Sequence, residues 1–336
     1  MNRCAYLDQM HRIVIAREEI PVPGDDEVLV KIMANGICGS DVHFFCEGRL
    51  GNFIVDRPYI PGHEASGVVA GFGKNVKGFS TGEHVVIEPG IPCGKCKYCR
   101  SGRYNLCPDV VFLSAPQING TFCDYISVRW DSLFKIPENL SFEKAAMIEP
   151  AAVAIHAVNR ASFGNGDTAA VVGAGPIGLL TLQAAKAAGA GKVICLDVFD
   201  KRLDMAKELG ADEVINVSDG KVPADIADVV FETAGSSKAT ETIFALSMPG
   251  GVVVQVGWPE KNKVGIDIAQ FIEKELNYAG VNRYANAYPA AIQWVSDGRI
   301  DVEKLITHRF DFEQVAMAFE FTAKNKKDVI KTIVVN

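Results

Sequence analysis

The chain is 336 residues long, with 48% hydrophobic residues, 22% charged residues and a formal net charge of −7. This length accommodates two domains, each with its own core. The acidic balance argues against a nucleic-acid partner, because surfaces that bind nucleic acids are basic. Charges recur every few positions over the first twenty residues, which lack the apolar segment of a signal peptide. We therefore expect a cytoplasmic protein.

The first 145 residues or so are predicted to form an irregular, β-rich domain. Short apolar runs rich in Val and Ile recur there without a helical period, at 28–37, 65–73, 84–89, 124–128 and 133–137. Glycine and proline separate these runs, so we expect short strands connected by long loops.

After Glu149 the pattern changes to alternating strands and helices. Strands are predicted over 169–173, 192–197, 213–217, 228–235, 251–257 and 276–281, with helical segments between them. Such alternation is typical of crossover units around a buried parallel sheet. The longest charge-free stretch, 168–185, contains three glycines and a proline, which favours a strand, a turn and a helix over a membrane span.

We therefore predict an α/β protein with two domains. A doubly wound α/β domain is expected over 148–285, and a β-rich domain is expected from 1–147 together with 286–336. Two further helices are predicted at 289–296 and 312–322. The last strand, 329–335, has no partner in the parallel-sheet unit, and we expect it to return to the β-rich domain.

Four cysteines lie within fifteen residues in the spacing C-x2-C-x2-C-x7-C: Cys93, Cys96, Cys99 and Cys107. Two residues between cysteines allow a tight turn to bring both thiolates onto one cation, and four sulfurs complete a tetrahedral zinc shell. The alternative is a disulfide pair, which is disfavoured in a chain that has no secretion signal. A closed four-sulfur site has no open position, so it predicts a structural zinc.

The sequence GAGPIG at 173–178 matches the G-x-G-x-x-G pattern between a Val-rich strand and an Ala/Leu helix. Gly173 permits the tight turn, Gly175 lets the backbone approach a pyrophosphate, and Gly178 lets the helix pack on the strand. The helix that begins at Pro176 and Ile177 would offer its free N–H groups to the phosphates. A dinucleotide site is predicted.

Asp197 closes the next strand, 19 residues after Gly178. Its carboxylate would accept hydrogen bonds from ribose hydroxyls and repel a 2′-phosphate, which favours NAD over NADP. Arg202 lies either along the adenine or on a solvated helix face. Val256, at the end of the strand 251–257, is a further predicted cofactor contact.

A chain with both zinc and a nicotinamide cofactor is a candidate for a second metal site, one with an open coordination position. Cys38 lies in the loop GICGSD, and Glu149 lies at the domain boundary. His63 and Glu64 are adjacent, and neighbouring side chains on a strand point to opposite faces. The two side chains can reach one ion only if the backbone bends just before them. Pro61 and Gly62 supply that bend.

GICGSDVHFF, GHEASGVVAGFG, GEHVVIEPG, CGKCKYCRSGRYNLC, IEPAAVAIHA and VVGAGPIG occur in this order. Together they resemble the zinc-containing medium-chain dehydrogenases, and within them the sorbitol (polyol) dehydrogenases. The resemblance spans nearly the whole chain and implies a GroES-like catalytic domain beside the Rossmann domain.

The resemblance implies that Cys38, His63 and Glu64 are the catalytic zinc ligands, and that Glu149 binds zinc directly or through water. Two zinc ions per chain are thus expected. Arg283 and Tyr284 match residues that line the polyol pocket or the cofactor side. Phe44 departs from the family, because close polyol dehydrogenases often have Tyr there.

The predicted reaction oxidises a secondary hydroxyl of a polyol to a ketose, with hydride transfer to NAD. Cys38 and Glu64 would together balance the charge of Zn²⁺, and His63 would be neutral. Ser40, His43, the cofactor ribose and Glu149 are the candidates for the proton relay, with water between them.

Three alternatives stay open: a dehydrogenase of butanediol or threonine, one of a sugar-alcohol phosphate, and a non-catalytic NAD-binding protein. A phosphate substrate requires a cation cluster, for which the sequence offers Arg49, Arg129 and Arg283. The resemblance also implies a homo-oligomer, either a dimer or a tetramer, in which the strand 276–281 extends a sheet across a two-fold axis.

Overall fold

The computed structural model describes residues 1–261 and 263–336. The chain forms two compact units, the first from Met1–Glu149 with Val302–Asn336 and the second from Pro150–Asp301. Among the described residues the strands are β1 Asn2–Gln9, β2 Arg12–Glu18, β3 Glu27–Gly36, β4 Arg49–Leu50, β5 Phe53–Ile54, β6 Glu64–Phe72, β7 His84–Ile87, β8 Gly90–Ile91, β9 Val111–Phe112, β10 Tyr125–Arg129, β11 Leu133–Lys135, β12 Thr168–Val172, β13 Lys192–Asp197, β14 Glu213–Asn216, β15 Ala227–Glu232, β16 Ser247–Gln255, β17 Asn277–Gly280, β18 Ile306–Asp311 and β19 Lys331–Val335.

Ten α-helices lie in the same described ranges: α1 Gly39–Glu47, α2 Lys97–Arg100, α3 Phe142–Ala146, α4 Ile148–Arg160, α5 Pro176–Ala187, α6 Asp200–Glu208, α7 Ser237–Leu246, α8 Ile268–Glu273, α9 Tyr288–Ser296 and α10 Val315–Lys324. Short 3₁₀ turns occur at Tyr104–Leu106, Trp130–Ser132, Glu303–Leu305 and Phe312–Gln314. Within the described residues, no helix is both long enough and apolar enough to cross a membrane.

The first unit is built on a seven-stranded sheet in the order β11-β7-β6-β3-β19-β18, with β10 also paired to β3. All pairs are antiparallel except β18 with β19. Strand β3 alternates between buried and more exposed positions and then becomes fully buried towards Gly36. The end of β3 is therefore enclosed in the core, where candidate ligand segments follow it.

Strand β19 returns to this sheet and pairs with β3, Ile333 opposite Gly36, so the prediction for the final strand is confirmed. Two features were missed. The N-terminal hairpin of β1 and β2 was not predicted, and neither was helix α1, which lies in the region where no helical period was seen.

The second unit contains a six-stranded, fully parallel sheet in the order β14-β13-β12-β15-β16-β17. The strand order reverses between β12 and β15. In open parallel sheets, ligands bind at the carboxyl ends of the strands beside such a reversal. This is the doubly wound architecture expected from the sequence. Strand β17 forms an outer edge of the sheet, and the oligomeric state stays a prediction.

The structure groups residues 286–301 with the second unit, whereas the predicted boundary assigned them to the catalytic domain. The Gln183 side chain on α5 anchors the end of this segment within the second unit. Its Oε1 accepts a hydrogen bond from the Asp301 backbone N–H at 2.7 Å, and its Nε2 donates to the Asp301 carbonyl at 3.4 Å. Side-chain anchors of this kind have no signature in the local sequence.

Candidate metal centres and nucleotide-binding turn

The four clustered cysteines converge as their spacing predicts. Their sulfur atoms all lie within 4.8 Å of one another. Cys96 caps the short helix α2, so that the Cys99 N–H donates to its sulfur at 3.5 Å. The Cys93 N–H donates to the Cys107 sulfur at 3.4 Å. Backbone N–H groups of Lys95 and Cys96 lower the pKa of Cys93 to about 7. Four convergent sulfurs, none in a disulfide, fit a closed zinc shell.

A second group of donors lies elsewhere in the first unit. The donor atoms of Cys38, His63 and Glu64 all lie within 4.8 Å of one another. Cys38 ends the connection after β3 and caps α1, whereas Glu64 begins β6. Gly62 has a φ of +98°, and a Cβ there would lie 2.6 Å from the Phe122 ring. This bend lets two adjacent side chains reach one point, as the sequence suggested.

Asp41 holds both ligand segments in place. Its carboxylate is fully buried; Oδ2 accepts from the Cys38 N–H at 3.1 Å and Oδ1 accepts from the Gly62 N–H at 3.3 Å. The Ser114 hydroxyl donates to the same Oδ1 at 2.9 Å. Oδ1 also lies 3.7 Å from Nδ1 of His63. This distance is too long for a hydrogen bond, so Asp41 acts on the His63 ring through its charge.

The electrostatics of this group favour a cation. Burial lowers the pKa of His63, but the charges of Asp41, Cys38 and Glu149 outweigh burial and raise the pKa well above its ordinary value. Sulfur, nitrogen and oxygen donors in one cluster, with His63 and Glu64 buried and Cys38 partly exposed, fit a zinc ion.

The Glu64 side chain packs against Gly36 and forms an ion pair with the buried Lys331. Gly36 and Glu64 are direct neighbours across β3 and β6, and a Cβ on Gly36 would lie 2.0 Å from Oε2 of Glu64. The Nζ of Lys331 lies 2.7 Å from both carboxylate oxygens of Glu64. Lys331 and Glu64 are 3% and 1% exposed, so this ion pair is inside the protein.

The other predicted catalytic residues surround this centre at different depths. Glu149 is buried and its charge acts on His63 and Lys331, but it is not in the group of three donors within 4.8 Å. Ser40 and His43 lie on α1 and are partly exposed. Phe44 is buried, with its ring edge-on to Tyr59 at 6.3 Å.

In the second unit, the glycines occupy the turn between β12 and α5. Gly173 has a φ of +97°, and a Cβ on Gly178 would lie 1.7 Å from the Gly173 carbonyl oxygen. A Cβ on Gly175 would meet only Arg202, at 3.8 Å. Gly173 and Gly178 are therefore required by the fold, whereas Gly175 leaves room beside the turn. Pro176 begins α5, and Ile177 follows it in the first turn.

Asp197 is fixed by backbone groups at the end of β13. Its Oδ2 accepts from the Ala174 N–H at 2.6 Å, and its Oδ1 accepts from the N–H groups of Val198 and Phe199 at 2.7 and 2.9 Å. The guanidinium of Arg202 lies 4.0 Å from Oδ2 and over the Phe199 ring. Arg202 thus flanks the glycine turn as a cation, so it is not on a solvated face.

Glu232, at the end of β15, is a buried carboxylate that the sequence did not single out. It accepts from the Gly235 N–H at 3.0 Å and from Nε2 of Gln255 at 2.6 Å, while its carbonyl accepts from the N–H of Val256. Glu232 therefore joins the turns that follow β15 and β16. Burial raises its pKa to about 7, although these hydrogen bonds oppose the shift.

The remaining predicted cofactor and pocket residues lie beyond β17. Arg283 has a φ of +56°, which is uncommon for a residue with a side chain. Tyr284 is buried and its ring lies 5.5 Å from that of Tyr288.

Sequence reasoning missed Asp41, Lys331 and Glu232. A signal existed for each. Asp41 is the third residue after Cys38, the position from which an acid can cap the start of a helix. Lys331 interrupts an apolar final strand, and Glu232 ends a buried one. Charged residues in such runs require a buried partner.

Comparison with known proteins agrees with this geometry. Residues 24–138 match the alcohol dehydrogenase GroES-like domain, and residues 176–297 match the zinc-binding dehydrogenase domain. The chain is 42% identical to sorbitol dehydrogenase of Bacillus subtilis over 94% of this chain and 93% of the relative. It is 38% identical to L-idonate 5-dehydrogenase of Vitis vinifera over 96% of this chain and 92% of the relative.

Two solved structures show which cofactors such folds bind. A zinc-binding dehydrogenase of Sinorhizobium meliloti, bound to NADP, superposes with a TM-score of 0.91 at 30% identity, over 100% of this chain and 99% of the other. A dehydrogenase of Escherichia coli CFT073, complexed with NADH, gives 0.91 at 31% identity with the same coverage. These likenesses support a zinc-type oxidoreductase with a nicotinamide cofactor.

The glycine turn generates a matched pair of variants. Gly175→Ala should fold normally and bind NADH at least tenfold more weakly, because its methyl group occupies the space left for a pyrophosphate. Gly178→Ala should lose fold stability, because its Cβ cannot be accommodated between helix and strand. Thermal unfolding and NADH fluorescence titration separate the two effects. Normal NADH binding by Gly175→Ala would contradict this role of the turn.

The raised pKa of Glu232 generates a pH prediction. The Glu232 carboxyl stays protonated up to about pH 7 in the folded protein, but only up to about pH 4.5 in the unfolded chain. The free energy of unfolding therefore decreases as the pH rises from about 4.5 to about 7. The loss amounts to about 3 kcal/mol for the second unit. Glu232→Gln should flatten the dependence, measured by urea unfolding between pH 5 and pH 8. Glu241→Gln, at an exposed position of α7, is the control. If the free energy of unfolding of Glu232→Gln depends on pH as steeply as that of the parent, Glu232 is not the titrating group.

Proposed function

Because the chain belongs to the zinc-containing medium-chain dehydrogenases, in their polyol dehydrogenase group, we propose that it oxidises a secondary hydroxyl of a sugar alcohol to a ketose with hydride transfer to NAD. Sorbitol, xylitol, arabitol and galactitol are the candidate substrates. The convergence of the partly exposed Cys38 with the buried His63 and Glu64 carries the proposal.

Zinc bound by these three residues would supply a Lewis acid that lowers the pKa of a substrate hydroxyl. Cys38, His63 and Glu64 would hold the ion, and Asp41 fixes the two segments from which they project. Glu149 contributes negative charge from a buried position.

The proton leaves along α1. Ser40 and His43 are three residues apart, and His43 and Glu47 are four apart, so all three side chains share one helix face. Nδ1 of His43 lies 3.1 Å from Oε1 of Glu47, which is exposed. This row extends from the first turn of the helix to solvent, and Phe44, on the buried face, takes no part. The absence of a phenol at that position is thus compatible with proton transfer.

The glycine turn and the N-terminus of α5 would hold the pyrophosphate of the cofactor, and Asp197 would hold its adenosine ribose. The Asp197 carboxylate favours NAD, because it repels a 2′-phosphate. NADP is the second candidate, since Arg202 places a cation 4.0 Å from that carboxylate. Val256 and Arg283 are proposed as further contacts towards the nicotinamide.

The four-cysteine cluster is proposed to hold a structural zinc, which gives two zinc ions per chain. Cys38→Ser should reduce the zinc content from two to one and abolish turnover, while NADH binding stays within about threefold of the parent. Metal analysis, a steady-state assay and fluorescence titration make the three measurements. Full activity of a folded Cys38→Ser variant would overturn the proposed mechanism.

A phosphorylated substrate is less well supported. Arg49 donates to the Gly51 carbonyl, whereas Arg129 donates to the Pro92 carbonyl and pairs with Asp131. These two cations already have partners in the first unit.

A panel assay decides the substrate class. Sorbitol, xylitol, arabitol, galactitol, galactitol phosphate, butanediol and threonine should each be offered with NAD and with NADP. We expect kcat/KM to be highest for an unphosphorylated polyol with NAD, by at least tenfold over the other classes. A preference for butanediol or for the phosphate ester would replace the proposed substrate, and no turnover with any compound would favour a non-catalytic role.

A further inference from the structure

The buried Ser114 contacts the groups that hold the candidate ligand segments in place. Its hydroxyl donates to Oδ1 of Asp41 at 2.9 Å and accepts from the Gly62 N–H at 3.0 Å. Asp41 also accepts from the Cys38 N–H, and Gly62 directly precedes His63. One hydroxyl, on a residue that is 3% exposed, therefore bonds to groups that belong to both ligand segments.

The backbone of Ser114 has a conformation that is uncommon for a residue with a side chain. Its φ is +66°, in the left-handed region that favours glycine. Positions of this kind cost free energy of folding and cluster at functional sites. Glycine would adopt the same conformation at lower cost, so the side chain of Ser114 requires an explanation other than the turn itself.

The segment that carries Ser114 is fixed by contacts of its own. Strand β9, which ends at Phe112, pairs with β8, and the Leu113 N–H donates to the carbonyl of Pro89 at 3.0 Å. The side chain of Leu113 is buried in the core of the first unit. The Phe112 ring lies 5.6 Å from the ring of His63. The Ser114 hydroxyl is thus directed at Asp41 from an anchored backbone that also packs on a candidate ligand.

We propose that Ser114 is a positioning residue of the catalytic centre, whose hydroxyl fixes the Asp41 carboxylate in the orientation that holds both ligand segments. Without this donor, Oδ1 of Asp41 keeps the Gly62 N–H at 3.3 Å and loses the shorter of its two hydrogen bonds. The carboxylate is then less restricted, and so are the segments bonded to it. This inference rests on the proposed function, because it assumes that Cys38, His63 and Glu64 bind zinc.

A purely structural serine would behave differently from a positioning serine. Its loss would change only the stability of the fold, so zinc affinity would follow stability from one variant to the next. If the hydroxyl positions the ligand segments, zinc affinity depends on the hydroxyl and not on stability. Groups that orient metal ligands typically change metal affinity by about tenfold to a hundredfold when they are replaced.

Ser114→Gly and Ser114→Ala distinguish the two roles. Both variants lose the hydroxyl, but only glycine relaxes the backbone at this φ, so Ser114→Gly should unfold at a higher temperature than Ser114→Ala. We expect both variants to bind the zinc of the catalytic cluster at least about tenfold more weakly than the parent. Thermal unfolding measures stability, and competition with a chromophoric chelator measures zinc affinity. The zinc that Cys38→Ser lacks identifies the ion of this cluster.

Ser162→Gly is the matched control. Ser162 is another serine at positive φ, +51°, but it is exposed and lies in the second unit. The same relaxation of the backbone should leave its zinc affinity equal to that of the parent. Parent-like zinc affinity of Ser114→Gly would overturn the inference, as would a loss of affinity confined to the less stable Ser114→Ala. Failure of Ser114→Gly to fold would assign the hydroxyl to the fold and would also refute the inference.

Cys38→Ser separates this inference from the proposed function. If that variant retains two zinc ions, the cluster does not bind zinc and the proposed function fails. If it loses one ion while Ser114→Gly binds zinc as tightly as the parent, only the inference about Ser114 fails.

Discussion

The buried ion pair between Glu64 and Lys331 is the constraint on which the first unit depends. It joins β6 and β19 across the end of β3, where Gly36 supplies the space for the Glu64 carboxylate. Removing one partner of a buried pair leaves an uncompensated charge, so neither residue is tolerated alone. The candidate ligand Glu64 therefore requires a strand that the chain reaches only after the whole second unit.

The two candidate metal clusters illustrate different ways of bringing donor side chains together. Four cysteines within fifteen residues converge through local turns, so their spacing alone predicts the site. The second cluster takes Cys38 from one loop and His63 with Glu64 from another, and a side chain outside the set, Asp41, bonds to the backbone of both loops. Its ligand positions depend on long-range contacts, which residue spacing does not encode.

This distinction explains which features could be predicted from the sequence. Hydrophobic periodicity predicted the alternating strands and helices and the parallel sheet, because buried strands and helices carry the pattern themselves. It did not give α1, whose sequence GSDVHFFCE lacks strong helix formers and forms a helix through its cap at Cys38 and the burial of Phe44. The pairing of Lys331 was equally hidden, since its partner is 267 positions away.

One device recurs in both units: a buried carboxylate that accepts backbone N–H groups from a functional loop. Asp41 does this for the ligand loops, Asp197 for the glycine turn, and Glu232 for the turns after β15 and β16. Each acid loses its hydration on burial and gains hydrogen bonds from fixed N–H donors. This exchange is favourable only when the loop that carries the donors keeps one conformation. The loops are thereby ordered before any ligand arrives, and ligand binding does not have to offset their conformational entropy. The acid beside each site is accordingly as much a part of its function as the groups that contact the ligand.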